Sequence, residues 1–348
     1  TLAQIDRAVD KVMADNNIPG AVIDLNFPGR GTYRAAKGVT DRATGEPMSL
    51  DNHFRVGSNT KAFTGTVILQ LVDEGLITLD QKVGTILDGV PNGDNISIRH
   101  LLTMTSGLPN YSDIKEFNDR LWSDPYYQYT TQELLDIAYS EDNHPGPGTH
   151  YEYSNTNTIL LGEIIRAKTG LTVAQAFQTR LFDPLGLTQT SWPTTPVMPT
   201  PYAHGYTDDN PTRTIMDATN WNPSWAGAAG QLVSTVDDMA TWARSAGTGS
   251  LISAEMQRQR LDWIVAEGIP PGRYGLHIGQ SGKWIHHQGE LPGYNTIAAY
   301  LPPYDGTLVV LTSSNVPYDA MGPAAKIMVA IGEIVAPEYT PTPPPSED

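Results

Sequence analysis

Ser58 and Lys61 stand three residues apart at the start of a segment with helical periodicity. Residues three apart on a helix share one face, so a hydroxyl and an amine would come into contact there. If the amine is buried away from water, its pKa falls and it can accept the hydroxyl proton. The pair therefore predicts a serine nucleophile that needs no histidine. A capping serine followed by a solvated lysine would give the same local pattern.

The neighbouring residues predict that Ser58 lies at a helix N-terminus. Residues 54–57 have the pattern of a short strand or turn that ends in a flexible glycine. A helix N-terminus favours developing negative charge, which suits a nucleophile. The helix is predicted from apolar residues at helical spacing that continue up to residues 73–75, namely Phe63, Val67, Ile68, Leu71 and Val72.

Two further polar clusters could complete a catalytic site. Tyr153 and Asn155 lie in a polar loop before an apolar helical run. His287 follows a short predicted strand and precedes the turn Pro292-Gly293. Taken singly, these residues are typical of a hydrogen-bonded surface tyrosine and of a structural or solvated histidine.

In this order, the three clusters resemble the motifs of the penicillin-recognising serine hydrolases: Ser-x-x-Lys, Tyr-x-Asn and Lys/His-x-Gly. The resemblance extends from about Ile18 to about Val335 and favours the branch of D-Ala-D-Ala carboxypeptidases, D-aminopeptidases and class C β-lactamases. It implies catalytic roles for Ser58, Lys61, Tyr153, Asn155 and His287. It also implies substrate contacts at Gln288, Gly289 and Glu290.

The resemblance further implies an acyl-enzyme on Ser58, with Lys61, Tyr153 or both as the proton acceptor. A tyrosine between two cations would have a lowered pKa and could serve as the base. Asn155 would orient Lys61 and bind the substrate amide. The backbone N–H groups of Ser58 and Glu290 would form the oxyanion hole.

The chain departs from the carboxypeptidase pattern where that branch holds the terminal carboxylate of its substrate. In the carboxypeptidases, this carboxylate is held by small hydroxyl residues beside the motif glycine and by an arginine on the preceding strand. Here Gln288 and Glu290 flank Gly289, and the preceding strand offers His277 but no arginine in its second half. A carboxylate at Glu290 would repel a terminal carboxylate and tolerate an amine, amide or ester leaving group.

The function predicted from the resemblance is a serine hydrolase acting on amide bonds of D-amino-acid-containing peptides. It would be either a D-Ala-D-Ala carboxypeptidase-like enzyme or a D-stereospecific peptidase or amidase. A carboxylesterase with the same site is the main alternative. A class C-like β-lactamase is less favoured, because His287 stands where β-lactamases carry a lysine. A non-catalytic binding module is disfavoured because Ser58, Lys61, Tyr153 and Asn155 are all present.

Composition limits the partners. The 348 residues carry a formal net charge of −16, which argues against nucleic acid and anionic membrane surfaces. No cysteine is present and no histidines have metal-ligand spacing, so we expect neither a metal nor a cofactor. The expected partner is a small-molecule or peptide substrate, with β-lactams as further candidates. No apolar segment has the length of a membrane span. We expect a mature fragment of a secreted or cell-envelope protein, without its signal segment.

The order of predicted elements indicates an α+β fold, with strands near both chain ends and helices between them. We expect one antiparallel sheet, built from both ends and flanked by helices, with an inserted all-helical region. The predicted parts are residues 1–50 plus 269–337 for the sheet domain, 51–268 for the helical domain and 338–348 for a Pro-rich tail. Strands are predicted at 21–26, 32–38, 274–279, 283–288, 295–301 and 307–313, and a final helix at 320–334.

Overall fold

The computed structural model describes residues 1–266, 272–317, 319 and 321–341. Its largest element is an antiparallel sheet that joins the two ends of the chain. In chain order the strands are β1 (Gly20–Phe27), β2 (Gly31–Gly38), β3 (Phe54–Arg55), β4 (Tyr206–Thr207), β5 (Met216–Asp217), β6 (Val233–Ser234), β7 (Ile264–Val265), β8 (Gly272–Tyr274), β9 (Gly279–Ser281), β10 (Trp284–Leu291), β11 (Tyr294–Leu301) and β12 (Gly306–Thr312). The main sheet has the order β2-β1-β12-β11-β10-β9-β8-β7. The predicted sheet from both termini is confirmed.

Helices are the main regular elements between β2 and β7. In chain order the helices are α1 (Leu2–Asp15), α2 (Thr60–Asp73), α3 (Ile98–Leu102), α4 (Lys115–Ser123), α5 (Thr131–Tyr139), α6 (Asn155–Thr169), α7 (Val173–Phe177), α8 (Asp183–Leu185), α9 (Gly227–Gly230), α10 (Val236–Thr248), α11 (Ala254–Arg260) and α12 (Pro323–Val335). The inserted region is therefore mainly helical. It also holds two short sheets, β3 with β6 and β4 with β5. β3 lies within the strand or turn predicted at residues 54–57, whereas β4, β5 and β6 were not predicted.

The main sheet separates two hydrophobic cores. Alternate residues of β12 point to opposite faces: Leu308 and Val310 pack with α1 and α12, whereas Val309 and Leu311 pack with the helical region. Both faces of this central strand are buried, which explains its nearly continuous apolar sequence. The sheet therefore forms a rigid support against which the start of α2 is packed.

Two strand predictions need correction near the candidate site. Residues 274–279 do not form one strand, because β8 ends at Tyr274 and β9 begins at Gly279. The chain turns between them with φ of +56° at His277, whose buried ring is hydrogen-bonded to Leu102 O and Thr158 Oγ1. β10 continues beyond residue 288, the predicted end, to Leu291, and His287 lies inside this strand.

The predicted Pro-rich tail is partly packed against the sheet. The N–H of Lys283 donates to Tyr339 O at 3.0 Å, and Trp284 Nε1 donates to Thr340 Oγ1 at 3.2 Å. Residues 342–348 of the predicted tail lie outside the described residues, as does the predicted domain limit at 268/269. The limits of the two domains stay a prediction.

Candidate active site

Ser58 lies in a tight turn between β3 and α2. The 3₁₀ turn Gly57–Asn59 leads directly into α2, so Ser58 lies at the helix start, as predicted. Asn59 Nδ2 donates to Thr296 Oγ1 at 2.9 Å, and that hydroxyl donates to Val56 O at 2.9 Å. The turn is thereby hydrogen-bonded to the main sheet. Ser58 itself is only partly buried, so its hydroxyl is accessible to a substrate.

Two glycines let this turn approach β10 closely. Gly57 has a φ of +53°, and a Cβ there would lie 2.7 Å from Glu290 N. A Cβ on Gly289 would lie 1.9 Å from Val56 O. Larger residues at either position would therefore clash with the opposing main chain. This approach brings the peptide N–H of Glu290 beside the Ser58 turn, where the predicted oxyanion hole requires it.

Lys61 lies on the same face of the helix start as Ser58. Its Nζ is 2.8 Å from Ser58 Oγ and donates to Ala229 O in α9 at 3.0 Å. The side chain is fully buried, and burial lowers the pKa of Lys61 well below its usual range. A neutral amine in this position can donate one N–H to Ala229 O and direct its lone pair at the Ser58 hydroxyl.

Tyr153 lies on the other side of the Lys61 amine. Lys61 Nζ is 4.8 Å from the centre of the Tyr153 ring, and the Ser58 hydroxyl lies within hydrogen-bond reach of the phenol. Burial nevertheless raises the pKa of Tyr153 above its ordinary value. The prediction of a lowered pKa is therefore wrong, because burial outweighs the hydrogen bond with Ser58. Burial also lowers the pKa of the two nearby basic groups, Lys61 and His287, so neither supplies the positive charge that the prediction assumed. This leaves Lys61 as the better base.

His287 faces the same cluster from β10. Its ring centre is 6.5 Å from that of Tyr153 and 5.8 Å from that of Tyr274. The Tyr274 phenol oxygen lies 2.9 Å from His287 Nε2. The sequence did not single out Tyr274. It reaches this place only through the pairing of β8 with β9 and of β9 with β10, which no local spacing indicates.

Asn155 is placed differently from its predicted role. Its Nδ2 donates to Ser112 Oγ at 3.0 Å, and its backbone N–H donates to Asn110 Oδ1 at 3.0 Å. The partners of Lys61 Nζ are Ser58 and Ala229 instead. Asn155 begins α6, so it is hydrogen-bonded to the loop before α4 rather than to α2. The prediction that it orients Lys61 is wrong, while contact with a substrate amide stays a prediction.

The side chains of Gln288 and Glu290 leave β10 on the face opposite His287. Gln288 donates to Met321 O, and Glu290 Oε2 accepts from Asn295 Nδ2 at 3.0 Å. Asn295 in turn accepts from the N–H of Ala324 at the start of α12. The main chain of Glu290 is therefore at the Ser58 turn, whereas its carboxyl group points towards α12. Direct substrate contacts by these side chains stay a prediction.

Burial raises the pKa of Glu290 to about 7, and the nearby carboxylates of Asp209 and Asp319 contribute. An unfolded glutamate has a pKa near 4.5, so the folded state binds the proton more tightly and loses stability as pH rises from about 4.5 to about 7. Glu290→Gln keeps an acceptor for Asn295 without the charge. We expect this variant to be more stable than the wild type at pH 8, by up to about 3 kcal/mol, and similar to it at pH 4.5.

Urea unfolding at the two pH values measures this difference. Glu46→Gln, which makes the same substitution at an exposed glutamate, is the control. A Glu290→Gln effect of equal size at both pH values would contradict a raised pKa for this partly buried carboxyl group.

The site geometry can be compared with known proteins. The model of the Beta-lactamase family matches residues 5–331. The chain belongs to the Beta-lactamase family. It is accordingly a serine hydrolase, and the predicted nucleophile, Ser58, contacts the buried amine of Lys61.

Relatives and solved structures agree with membership of the Beta-lactamase family. Penicillin-binding protein 4 of Amycolatopsis lactamdurans is 27% identical over 337 residues, which cover 84% of this chain and 82% of that protein. A D-stereospecific amidohydrolase from Streptomyces sp. superposes with a TM-score of 0.84 at 29% identity, covering 95% of this chain and 98% of that one. The D-amino acid amidase from Ochrobactrum anthropi SV3 has a TM-score of 0.80 at 25% identity, covering 95% and 99%.

Metal ligands and membrane-spanning helices were the remaining features that the sequence made predictions about. Within residues 1–266, 272–317, 319 and 321–341, no three His, Cys, Asp or Glu side chains are grouped so as to hold a metal ion. No helix in this same part of the chain combines the length and apolar character needed to cross a membrane.

Proposed function

We propose that this member of the Beta-lactamase family hydrolyses amide bonds of D-amino-acid amides or peptides through an acyl-enzyme on Ser58. The observation that carries the proposal is the 2.8 Å contact between Ser58 Oγ and the fully buried amine of Lys61. A buried amine without its proton is a base, and a partly exposed hydroxyl beside it is a nucleophile.

The proposed reaction has two halves. Ser58 Oγ attacks the substrate carbonyl while its proton passes to Lys61 Nζ. The proton then moves to the leaving amine, either directly or through the Tyr153 phenol, as the amide C–N bond breaks. Water next attacks the Ser58 ester, again losing its proton towards Lys61, and the acid product leaves with Ser58 restored.

The negative charge of the tetrahedral intermediate is assigned to the backbone N–H groups of Ser58 and Glu290. The close approach of Gly57 to Glu290 N supports this placement. Backbone donors fixed by a turn and a strand need no rearrangement during the reaction, and one such donor is typically worth about 100- to 1000-fold in rate.

The preference for D-amino-acid amides has two supports. The Streptomyces protein is a D-stereospecific amidohydrolase, and the Ochrobactrum protein is a D-amino acid amidase. In addition, Glu290, Asp209 and Asp319 lie near one another, close to the strand that carries the proposed oxyanion donor. The Glu290 carboxyl group points towards α12 rather than towards Ser58, so it would act on a substrate only through its charge, which above pH 7 disfavours a free substrate carboxylate and favours a free amine.

A panel of substrates tests this proposal. D-phenylalanine amide is expected to be hydrolysed with a kcat/KM about 100-fold above that of L-phenylalanine amide. A D-Ala-D-Ala peptide with a free C-terminus should be turned over more slowly than its C-terminal amide, and the ratio should grow as pH rises through 7. Ammonia release and chiral chromatography of the products measure these rates.

The other functions predict different results on the same panel. Turnover of p-nitrophenyl esters without any amide turnover would identify a carboxylesterase. Rapid hydrolysis of penicillin would identify a β-lactamase, and equal rates on D- and L-amides would contradict stereospecificity. No turnover and no covalent adduct with any of these reagents would point to a binding module.

A further inference from the structure

His287 has a hydrogen-bond partner at each ring nitrogen. Nδ1 lies 2.7 Å from the carbonyl oxygen of Gln288, and Nε2 lies 2.9 Å from the phenol oxygen of Tyr274. A carbonyl oxygen only accepts, so Nδ1 carries a proton. In the neutral ring Nε2 then has a lone pair, and Tyr274 donates its O–H to it. Both side chains are buried, with 7% of His287 and 5% of Tyr274 exposed.

We propose that Tyr274 is a positioning residue of the active site. Its phenol holds His287 as the neutral Nδ1–H tautomer, so that an uncharged imidazole faces Lys61 and Tyr153 throughout the reaction. The sequence motif has a lysine or a histidine at this position. In this chain, His287 is assigned the role of an uncharged ring in a fixed orientation, and it does not supply a positive charge.

Protonation of His287 would break this arrangement. The imidazolium has an N–H at Nε2 facing the Tyr274 O–H, so the phenol would have to turn its hydrogen elsewhere inside a buried site. Burial opposes protonation as well, and it is the main cause that lowers the pKa of His287. The basic groups Lys61, His277 and His286 would lower this pKa further when they carry a charge, whereas the hydrogen bond with Gln288 O raises it. Tyr274 itself is influenced by Arg260, Tyr151 and Tyr153.

A neutral His287 has a consequence for the reaction. Lys61 must be uncharged to accept the Ser58 proton, and an imidazolium nearby would add a second titrating group to the same site. With His287 held neutral, the acid side of the rate profile reports the ionisation of Lys61 alone. Tyr274 therefore sets the pH range over which His287 stays uncharged and the charge of the site depends on Lys61 alone.

Tyr274→Phe removes the donor and keeps the ring. With histidine labelled by ¹⁵N, the wild-type His287 signal is expected to keep the Nδ1–H pattern from pH 5 to 8. In Tyr274→Phe, Nε2 loses its hydrogen-bond donor, so the His287 pKa should rise while burial still holds it below its ordinary value, and the signal should change as pH falls towards 5. His287→Gln identifies the signal. On D-phenylalanine amide, kcat/KM of Tyr274→Phe should fall roughly fivefold more at pH 5.5 than at pH 8, relative to the wild type.

Tyr151→Phe is the matched control, because the Tyr151 ring centre is 5.7 Å from that of Tyr274 while Tyr274, not Tyr151, is bonded to His287. It should retain the wild-type His287 pattern and pH profile. Titration of wild-type His287 between pH 5 and 8 would overturn the proposal, as would an unchanged His287 signal in Tyr274→Phe.

The kinetic part of this experiment rests on the proposed function, whereas the NMR part needs no substrate. Failure of D-amide turnover would therefore count against the proposed function alone. If Tyr274→Phe fails to fold, the wild-type spectra still decide whether His287 is neutral and protonated at Nδ1.

Discussion

Ser58→Ala is expected to abolish hydrolysis of every substrate that the protein turns over, with a loss in kcat of about 10⁴-fold or more. The hydroxyl removed is the one 2.8 Å from Lys61 Nζ, and no acyl-enzyme can form without it. The substitution removes only the hydroxyl group of a partly exposed residue, so the variant should still fold. Steady-state kinetics on a D-amino-acid amide and on an activated ester measure the loss.

The control for Ser58→Ala is its thermal midpoint, which should lie close to that of the wild type. Substrate binding should also persist, because the Ser58 hydroxyl forms the covalent bond, whereas other residues make most of the non-covalent contacts with the substrate. Retention of more than about 1% of the wild-type kcat by a folded Ser58→Ala protein would refute the assignment of the nucleophile.

Lys61 variants are expected to separate its two possible roles, base and cation. Lys61→Met fills the same buried space without an amine and should lose about 100- to 10,000-fold in kcat. Lys61→Arg keeps a positive charge but cannot lose its proton, so it should be similarly inactive. In the wild type, kcat/KM should rise with pH as Lys61 deprotonates, and burial places that rise well below the ordinary pKa of lysine.

The pH profiles of the three proteins measure this effect. Lys283→Met, at an exposed lysine one residue before β10, serves as the control and should behave as the wild type. If Lys61→Arg retained substantial activity, Lys61 would act through its charge, and Tyr153 would become the base.

Local spacing was sufficient to predict the part of the site that lies on one helix. Ser58 and Lys61 are three residues apart on a helix start, and their contact follows from helical geometry. The sheet from both chain ends was predictable too, because strand patterns occur only near the termini and an antiparallel sheet must pair them.

What the sequence could not supply came from long-range packing. Tyr274 meets His287 through two strand pairings, and Asn155 is bonded to Ser112 instead of Lys61. The raised pKa of Tyr153 likewise depends on burial by residues distant in the chain. The burial of an ionisable group depends on the assembled fold, so a sequence motif, which specifies only residue types, does not predict the resulting pKa shift.

The central claim is that Ser58 becomes acylated. The protein is mixed with a D-phenylalanine ester, quenched with acid within seconds, digested and analysed by mass spectrometry. The account predicts a D-phenylalanyl group on the peptide that contains Ser58, present in the wild type and absent from Ser58→Ala. An acyl group on a residue other than Ser58 in the active enzyme would contradict this claim. Turnover without any acyl group on the protein under single-turnover conditions would contradict it as well.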